Sequence, residues 1–192
     1  MKEREYKWLL TKYEVLCLDE FIERLNITNE KKQFHINYYF DTAERYFHAH
    51  DMTVRIRQSG NILKGTVKRH TFNGIHSESS EYDFPAERLP GTICFQGKTL
   101  LLQGQMHTQR KVYFLADGMT LYIDKNMYLG KTDYEMELEY EVASDPEAER
   151  LQHSVDEWLK NCCGRLKEEN VCSKSARFFE AAAGMRDRCI WC

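Results

Sequence analysis

Apolar and polar residues alternate with period two along most of the chain, most strictly near its two ends. In Lys2-Glu3-Arg4-Glu5-Tyr6-Lys7-Trp8 a strand sets Glu3, Glu5 and Lys7 on one face, because successive side chains point to opposite sides. Near the other end, Thr132 to Val142 places Asp133, Glu135, Glu137, Glu139 and Glu141 opposite Tyr134, Met136, Leu138, Tyr140 and Val142. Further strands are predicted over Lys32 to Asp41, Thr53 to Arg57, Ile62 to Arg69, Ser77 to Phe84, Thr108 to Leu115 and Met119 to Lys125. The third strand puts Arg55 and Arg57 on one face, the fourth Lys64, Thr66 and Lys68, and the fifth Glu81 and Asp83. Ser59-Gly60-Asn61 and Ala116-Asp117-Gly118 carry hairpin-turn chemistry, and Pro85 closes the fifth strand.

The period changes in three places. Thr11-Lys12-Tyr13-Glu14 has capping-box spacing, and Leu18, Phe21, Ile22 and Leu25 follow at helical intervals, which predicts a helix from Lys12 to Leu25. Ser144-Asp145-Pro146 opens a second helix, with Glu147 and Glu149 in its first turn and Leu151, Val155, Trp158 and Leu159 on its buried side. A last helix is expected from Ser173 to Ala183. Ala86 to Met106 has the weakest pattern, and a short helix over the end of the sheet is expected there. His48 and His50 read as surface residues of a turn, and Tyr38, Tyr39 and Phe40 as packing residues. With no repeat, linker or low-complexity tract, residues 1–192 are expected to form one α+β domain, mainly antiparallel β, of about eight strands.

Composition narrows the function classes. The 192 residues, 42% hydrophobic, suffice for one core. A net charge of −3 argues against general nucleic-acid binding, which draws on a basic excess. No apolar run approaches the length of a membrane helix, about 20 residues. The charge at Lys2 is unlike a secretory signal, so the seven scattered cysteines are expected to be free thiols of a cytoplasmic protein. Cys189-Ile190-Trp191-Cys192 has CxxC spacing, but one pair alone is weak grounds for zinc or redox chemistry.

The charged faces leave two readings. Each strand by itself could be one half-solvated face of an open sheet. Several together could line the polar interior of a closed barrel of about eight strands, apolar faces turned outward under helices. Carboxylates on Glu3, Glu5, Glu135, Glu137 and Glu139 suit Mg²⁺ or Mn²⁺, and Lys7, Arg55, Arg57, Lys64, Lys68 and Arg110 suit phosphate oxygens. A site with both fits a metal-bound polyphosphate, and no Walker-A loop is present.

Glu3-Arg4-Glu5-Tyr6-Lys7 resembles the ExExK signature of the CYTH superfamily, the triphosphate tunnel metalloenzymes. The resemblance continues through Val54-Arg55-Ile56-Arg57, Thr66-Val67-Lys68, Arg110, Tyr122-Ile123-Asp124, Leu129-Gly130, Glu135-Met136-Glu137 and Ser173-Lys174-Ser175. It is nearest to the small bacterial members called adenylate-cyclase-like. It implies an eight-strand antiparallel tunnel, a small-molecule triphosphate substrate and Mg²⁺ or Mn²⁺. By this resemblance Glu3, Glu5, Asp124, Glu135 and Glu137 are metal ligands, directly or through water. Lys7, Arg55, Arg57, Lys68, Arg110 and Lys174 contact the triphosphate, with Lys64 a weaker candidate, and Glu3, Glu5, Lys7 and Glu137 form the catalytic set. The resemblance implies a helix over one tunnel mouth, with Lys174 at its start.

Two activities follow from the resemblance: hydrolysis of a triphosphate, and cyclisation of ATP as in class IV adenylyl cyclases. Hydrolysis is the expectation, because no base-reading element is visible. A non-catalytic polyphosphate binder is disfavoured by the retained acids. A monomer or homodimer is expected, with no membrane partner.

Overall fold

The computed structural model describes residues 2–25, 27, 30–73, 76–115, 118–164 and 171–186. Its strands are β1 (Lys2–Leu10), β2 (Glu30–Asp41), β3 (Met52–Ser59), β4 (Ile62–Asn73), β5 (His76–Pro85), β6 (Thr92–Phe95), β7 (Lys98–Phe114), β8 (Thr120–Tyr128) and β9 (Lys131–Tyr140). Its helices are α1 (Lys12–Arg24), α2 (Tyr46–Ala49), α3 (Asp145–Cys163) and α4 (Lys174–Arg186), with a 3-10 turn at Val142–Ser144.

All pairings are antiparallel. The sheet runs β2-β3-β4-β5-β1-β9-β8-β7, and β2 also pairs with β7, which closes eight strands into a barrel. β6 is a ninth strand, outside the barrel, on the early part of β7. Closure removes the sheet edges that would otherwise need protection. Two hairpin turns have positive φ at both central residues, Gln96-Gly97 (48° and 70°) and Leu129-Gly130 (47° and 72°), matching the twist of tight hairpins. The register between β2 and β7 shifts at Tyr39/Phe40, a bulge that bends the seam.

The barrel is inverted relative to an ordinary apolar-cored one: its apolar residues face outward and need covers. Trp8, Leu121, Met136 and Leu138 pack under Leu18, Phe21 and Ile22 of α1 and Val155, Trp158 and Leu159 of α3. The Phe21 and Trp158 rings stack at 4.8 Å. Thr11 and Glu14 form the reciprocal capping box at the start of α1. A second cluster, Phe40, Val54, Ile56, Val67 and Leu100, is covered by Phe47 of α2 and by Ile93 and Phe95 of β6. α4 packs in a third cluster, its Phe178 and Phe179 against Tyr39, Met106 and Tyr128.

Strands and helices otherwise fall close to their expected positions. The expected helix within 86–106 is absent: the segment holds the β6–β7 hairpin, because Phe95-Gln96-Gly97-Lys98 is a tight turn between short β-pairing runs. The histidine turn includes one turn of helix, α2. The turn residues 116–117 and the Cys189–Cys192 pair lie outside the described residues.

Gly104 of β7 lets α4 approach. Its φ is 149°, and a Cβ there would stand 2.8 Å from Cζ of Phe178. Gly104→Val should therefore destabilise the fold by about 2 kcal/mol, as overpacking does, read as a lower urea midpoint. An unchanged midpoint would contradict this seating of α4.

Candidate active site

The barrel interior has an acidic and a basic side. On β1, β8 and β9, strand alternation turns Glu5, Lys7, Tyr122, Asp124, Glu135, Glu137 and Glu139 inward, and register pairs Glu5 with Glu139, Lys7 with Glu137 and Asp124 with Glu135. On β3 and β4 it turns Arg55, Arg57 and Lys68 inward. A cavity of about 190 Å³ lies between them, lined by Glu5, Lys7, Glu137 and Glu139 on one side and Arg55, Arg57 and Lys68 on the other.

The buried acids are held by cations. Lys7 Nζ donates to Glu5 Oε1 at 2.9 Å and stands 3.4 Å from Glu137 and 3.6 Å from Glu135. Arg110 makes a two-pronged contact to Asp124 (2.7 and 2.6 Å) and reaches Glu137 at 2.8 Å. Lys174, the first residue of α4, meets Asp124, Glu135 and Glu137 at 3.0, 2.9 and 2.8 Å. Arg177, one turn later, donates to Glu135 at 2.6 Å and Asp133 at 2.9 Å. Thr53 of β3 and Ser175 of α4 share a hydroxyl hydrogen bond of 2.6 Å.

These contacts set the protonation states. Burial opposes the charge on Lys7 and Lys174, but their carboxylate neighbours outweigh it and hold both ammoniums above the usual lysine range. Burial likewise disfavours ionised Asp124 and Glu137, yet Lys174 and Arg110, joined by Lys7 at Glu137, hold both carboxyls below their ordinary values.

The basic side is different. Arg57 donates through Nε to Asn37 at 2.9 Å, and no carboxylate pairs with it among the described residues. Burial, Arg55 and Arg110 push its guanidinium down to about 9, so it remains charged at neutral pH. Burial, then Arg57 and Arg110, push His35 down to about 2, leaving a neutral imidazole. His35 Nε2, Asn37 Nδ2 and Arg55 Nε are buried without hydrogen-bond partners among the described residues. Glu81 stands 3.6 Å from Arg55 and 3.4 Å from Lys68, and the unpaired buried nitrogens beside the Arg57 charge make this wall chemically suited to an anion.

A model of the CYTH domain matches residues 1–160. The chain belongs to the CYTH family. A search of curated proteins finds no match. Among solved structures, this CYTH chain is similar to a protein from Hippeastrum named as an adenylyl cyclase and described with a dominant triphosphatase activity, at TM-score 0.68 and 21% identity over 93% of this chain and 95% of that one. It is also similar to a Bacillus halodurans protein named as an adenylate cyclase (TM-score 0.64, 22% identity, 93% and 98% coverage). A third similar structure is the RNA triphosphatase domain of a mimivirus mRNA capping enzyme (0.57, 11%, 80% and 87%). At these identities the likeness establishes the tunnel fold.

Within this CYTH tunnel, Glu5, Lys7, Arg55, Arg57, Lys68, Arg110, Glu137 and Lys174 all border the cavity. Asp124 and Glu135 are fully buried beside it, occupied by Arg110, Lys174 and Arg177. Lys64 does not line it: near the end of the inward face it is exposed and pairs with Asp83 at 2.8 Å. The Glu3 side chain lies outside the described residues. Glu5, Glu137 and Glu139 bring carboxylate oxygens within 4.8 Å of one another, a hard-oxygen set that fits Mg²⁺ or Mn²⁺. Glu139 belongs to the alternating acid run that suits a metal, although the ligand set implied by the resemblance does not include it. Arg177 also went unnoticed, because only the seating of α4 reveals it.

Because Asp124 and Glu137 have lowered folded-state pKa values, their stabilisation is complete above the ordinary values of 3.8 and 4.5 and is lost as pH falls through the folded ones. Lys174→Ala should cost on the order of 3 kcal/mol by leaving buried carboxylates uncompensated. It should also move the onset of acid unfolding to higher pH. Urea titrations between pH 3 and 8, a range of about five units around those carboxylates, check both expectations.

Proposed function

We propose that this CYTH chain is a divalent-metal-dependent hydrolase of a triphosphate, inorganic or organic, bound in the barrel interior. One observation carries the reading: Arg57 stands charged beside Arg55 and Arg110 without a carboxylate of its own, and the phosphate chain supplies the missing negative charge. The triphosphatase activity described for the Hippeastrum protein supports it. Residues 1–192 are read as one domain around this tunnel.

Arg55, Arg57 and Lys68 hold the phosphates, the arginines by planar forks and the lysine as a point charge. Lys7 and Arg110 stand between the acids and the phosphate chain and complete its cationic surroundings. Glu5, Glu137 and Glu139 would hold Mg²⁺ or Mn²⁺, which when bound neutralises phosphate charge and lowers the pKa of a coordinated water. Hydrolysis transfers water oxygen to the terminal phosphorus and breaks the bridging P–O bond, releasing diphosphate and phosphate. The neutral His35 adds no charge beneath Arg57.

Hydrolysis is favoured over cyclisation by the cavity walls. Of its aromatic residues, Tyr122 is covered by the Arg110 guanidinium at 4.0 Å and Tyr39 packs on Phe178 and Phe179. Both rings are thus already engaged by protein side chains.

A phosphate-release panel over inorganic triphosphate, thiamine triphosphate and nucleoside triphosphates, with Mg²⁺ or Mn²⁺ and a parallel cyclic-AMP assay, tests the function. Phosphate release without cyclic AMP is expected; cyclic AMP as the main product would reverse the choice.

Arg57→Ala should raise the triphosphate Kd by about tenfold or more, the loss of one charge-assisted fork. Glu137→Gln and Glu139→Gln should abolish metal-stimulated turnover while keeping metal-free triphosphate binding by calorimetry. Full activity in all three variants would remove the site from this cavity.

A further inference from the structure

An apolar hollow lies on the outer wall of the barrel, on the far side of the strands from the charged interior. It measures about 510 Å³ and sits where α1 meets the outward faces of β2, β7, β8 and β9. That volume falls in the range of small-molecule pockets, about 300–1,000 Å³. Ile123 and Tyr134 line it from β8 and β9, Val15 borders it from α1, and Phe34 of β2 stands half exposed beside it. A phenylalanine left 50% exposed at a concave apolar surface is the kind of feature that marks a contact site.

The surrounding charge selects the ligand. Lys32, Lys111 and Lys125 also line the hollow, one each from β2, β7 and β8. Among the described residues Glu30 lies 3.3 Å from Lys32 and 3.6 Å from Lys111, at the rim of this lysine cluster. The three lysines gather here in a chain whose net charge is −3. The hollow shares a wall with the tunnel at Arg110 and Asp124, and strand alternation points Gln109 and Lys111 outward while Arg110 between them donates to Asp124 inside.

We propose that this outer hollow binds a small organic anion with an aromatic or aliphatic body. Its apolar part packs on Phe34, Ile123 and Tyr134, and its carboxylate, sulfonate or phosphate head lies among Lys32, Lys111 and Lys125. The side chains that would hold this ligand face outward, so the site does not depend on the proposed triphosphate site, with which it shares only the Arg110 wall.

The test uses the full chain and anilinonaphthalene sulfonate as probe, with saturating inorganic triphosphate present to occupy the interior arginines. One saturable fluorescent site is expected. Phe34→Asp and Lys125→Glu, both on the outer face, should each weaken it by about tenfold or more without changing the thermal melt or phosphate release. Dodecanoate should displace the dye, and uncharged dodecanol at equal concentration should not. Absence of saturable binding, loss of the dye on adding triphosphate, equal affinity in both variants or equal displacement by dodecanol would each overturn the proposal. So would sedimentation showing that a second copy of the chain covers the hollow and excludes the dye.

Discussion

Buried carboxylates are the constraint on which the rest of this structure depends. Asp124 and Glu135 are fully enclosed and Glu137 nearly so, and charges removed from water in this way need partners of opposite sign. Lys7 and Arg110 come from within the barrel strands, whereas Lys174 and Arg177 come from α4. The last helix therefore does more than cover a mouth: its first turn completes the neutralisation of acids on β8 and β9. Its Phe178 and Phe179 add apolar anchorage, and Gly104 leaves room for the approach.

That neutralisation sorts the charges into two functional groups. Acids paired with Lys174 and Arg177 hold the helix, while Glu5, Glu137 and Glu139 converge where a cation fits. Glu137 belongs to both groups, which couples the seating of α4 to the proposed metal position. Across the cavity the balance reverses, with Arg57 lacking a carboxylate and Arg55 offering an unsatisfied donor. An inverted barrel makes this separation possible, since its interior is free for charge only because helices and the β6 hairpin cover its apolar exterior.

Much of the fold was legible because alternation and turn chemistry are local. The acid run from Asp133 to Glu141, the Arg55/Arg57 pair and the Thr11 capping box each state their element within a few residues. The segment before β7 was less readable because strand β6, Thr92–Phe95, is short and pairs only with β7 among the described residues, so no long period develops. Inward direction was legible, but how far the interior extends was not. Lys64 and Lys68 share a face, yet Lys64 emerges into solvent against Asp83 while Lys68 stays inside, 3.4 Å from Glu81. The division of acids between α4 and the proposed metal position was also hidden, since Arg177 and Glu135 are 42 residues apart and meet only after α4 docks.

The most direct measurement is anomalous diffraction from crystals of the chain with Mn²⁺ and inorganic triphosphate. The central claim, two groups of acids facing a cationic wall, predicts a manganese peak among Glu5, Glu137 and Glu139, with phosphate oxygens on Arg55 and Arg57 and Lys174 still bound to Asp124 and Glu135. Manganese on Asp124 and Glu135 with Lys174 displaced, or triphosphate bound away from Arg57, would contradict it.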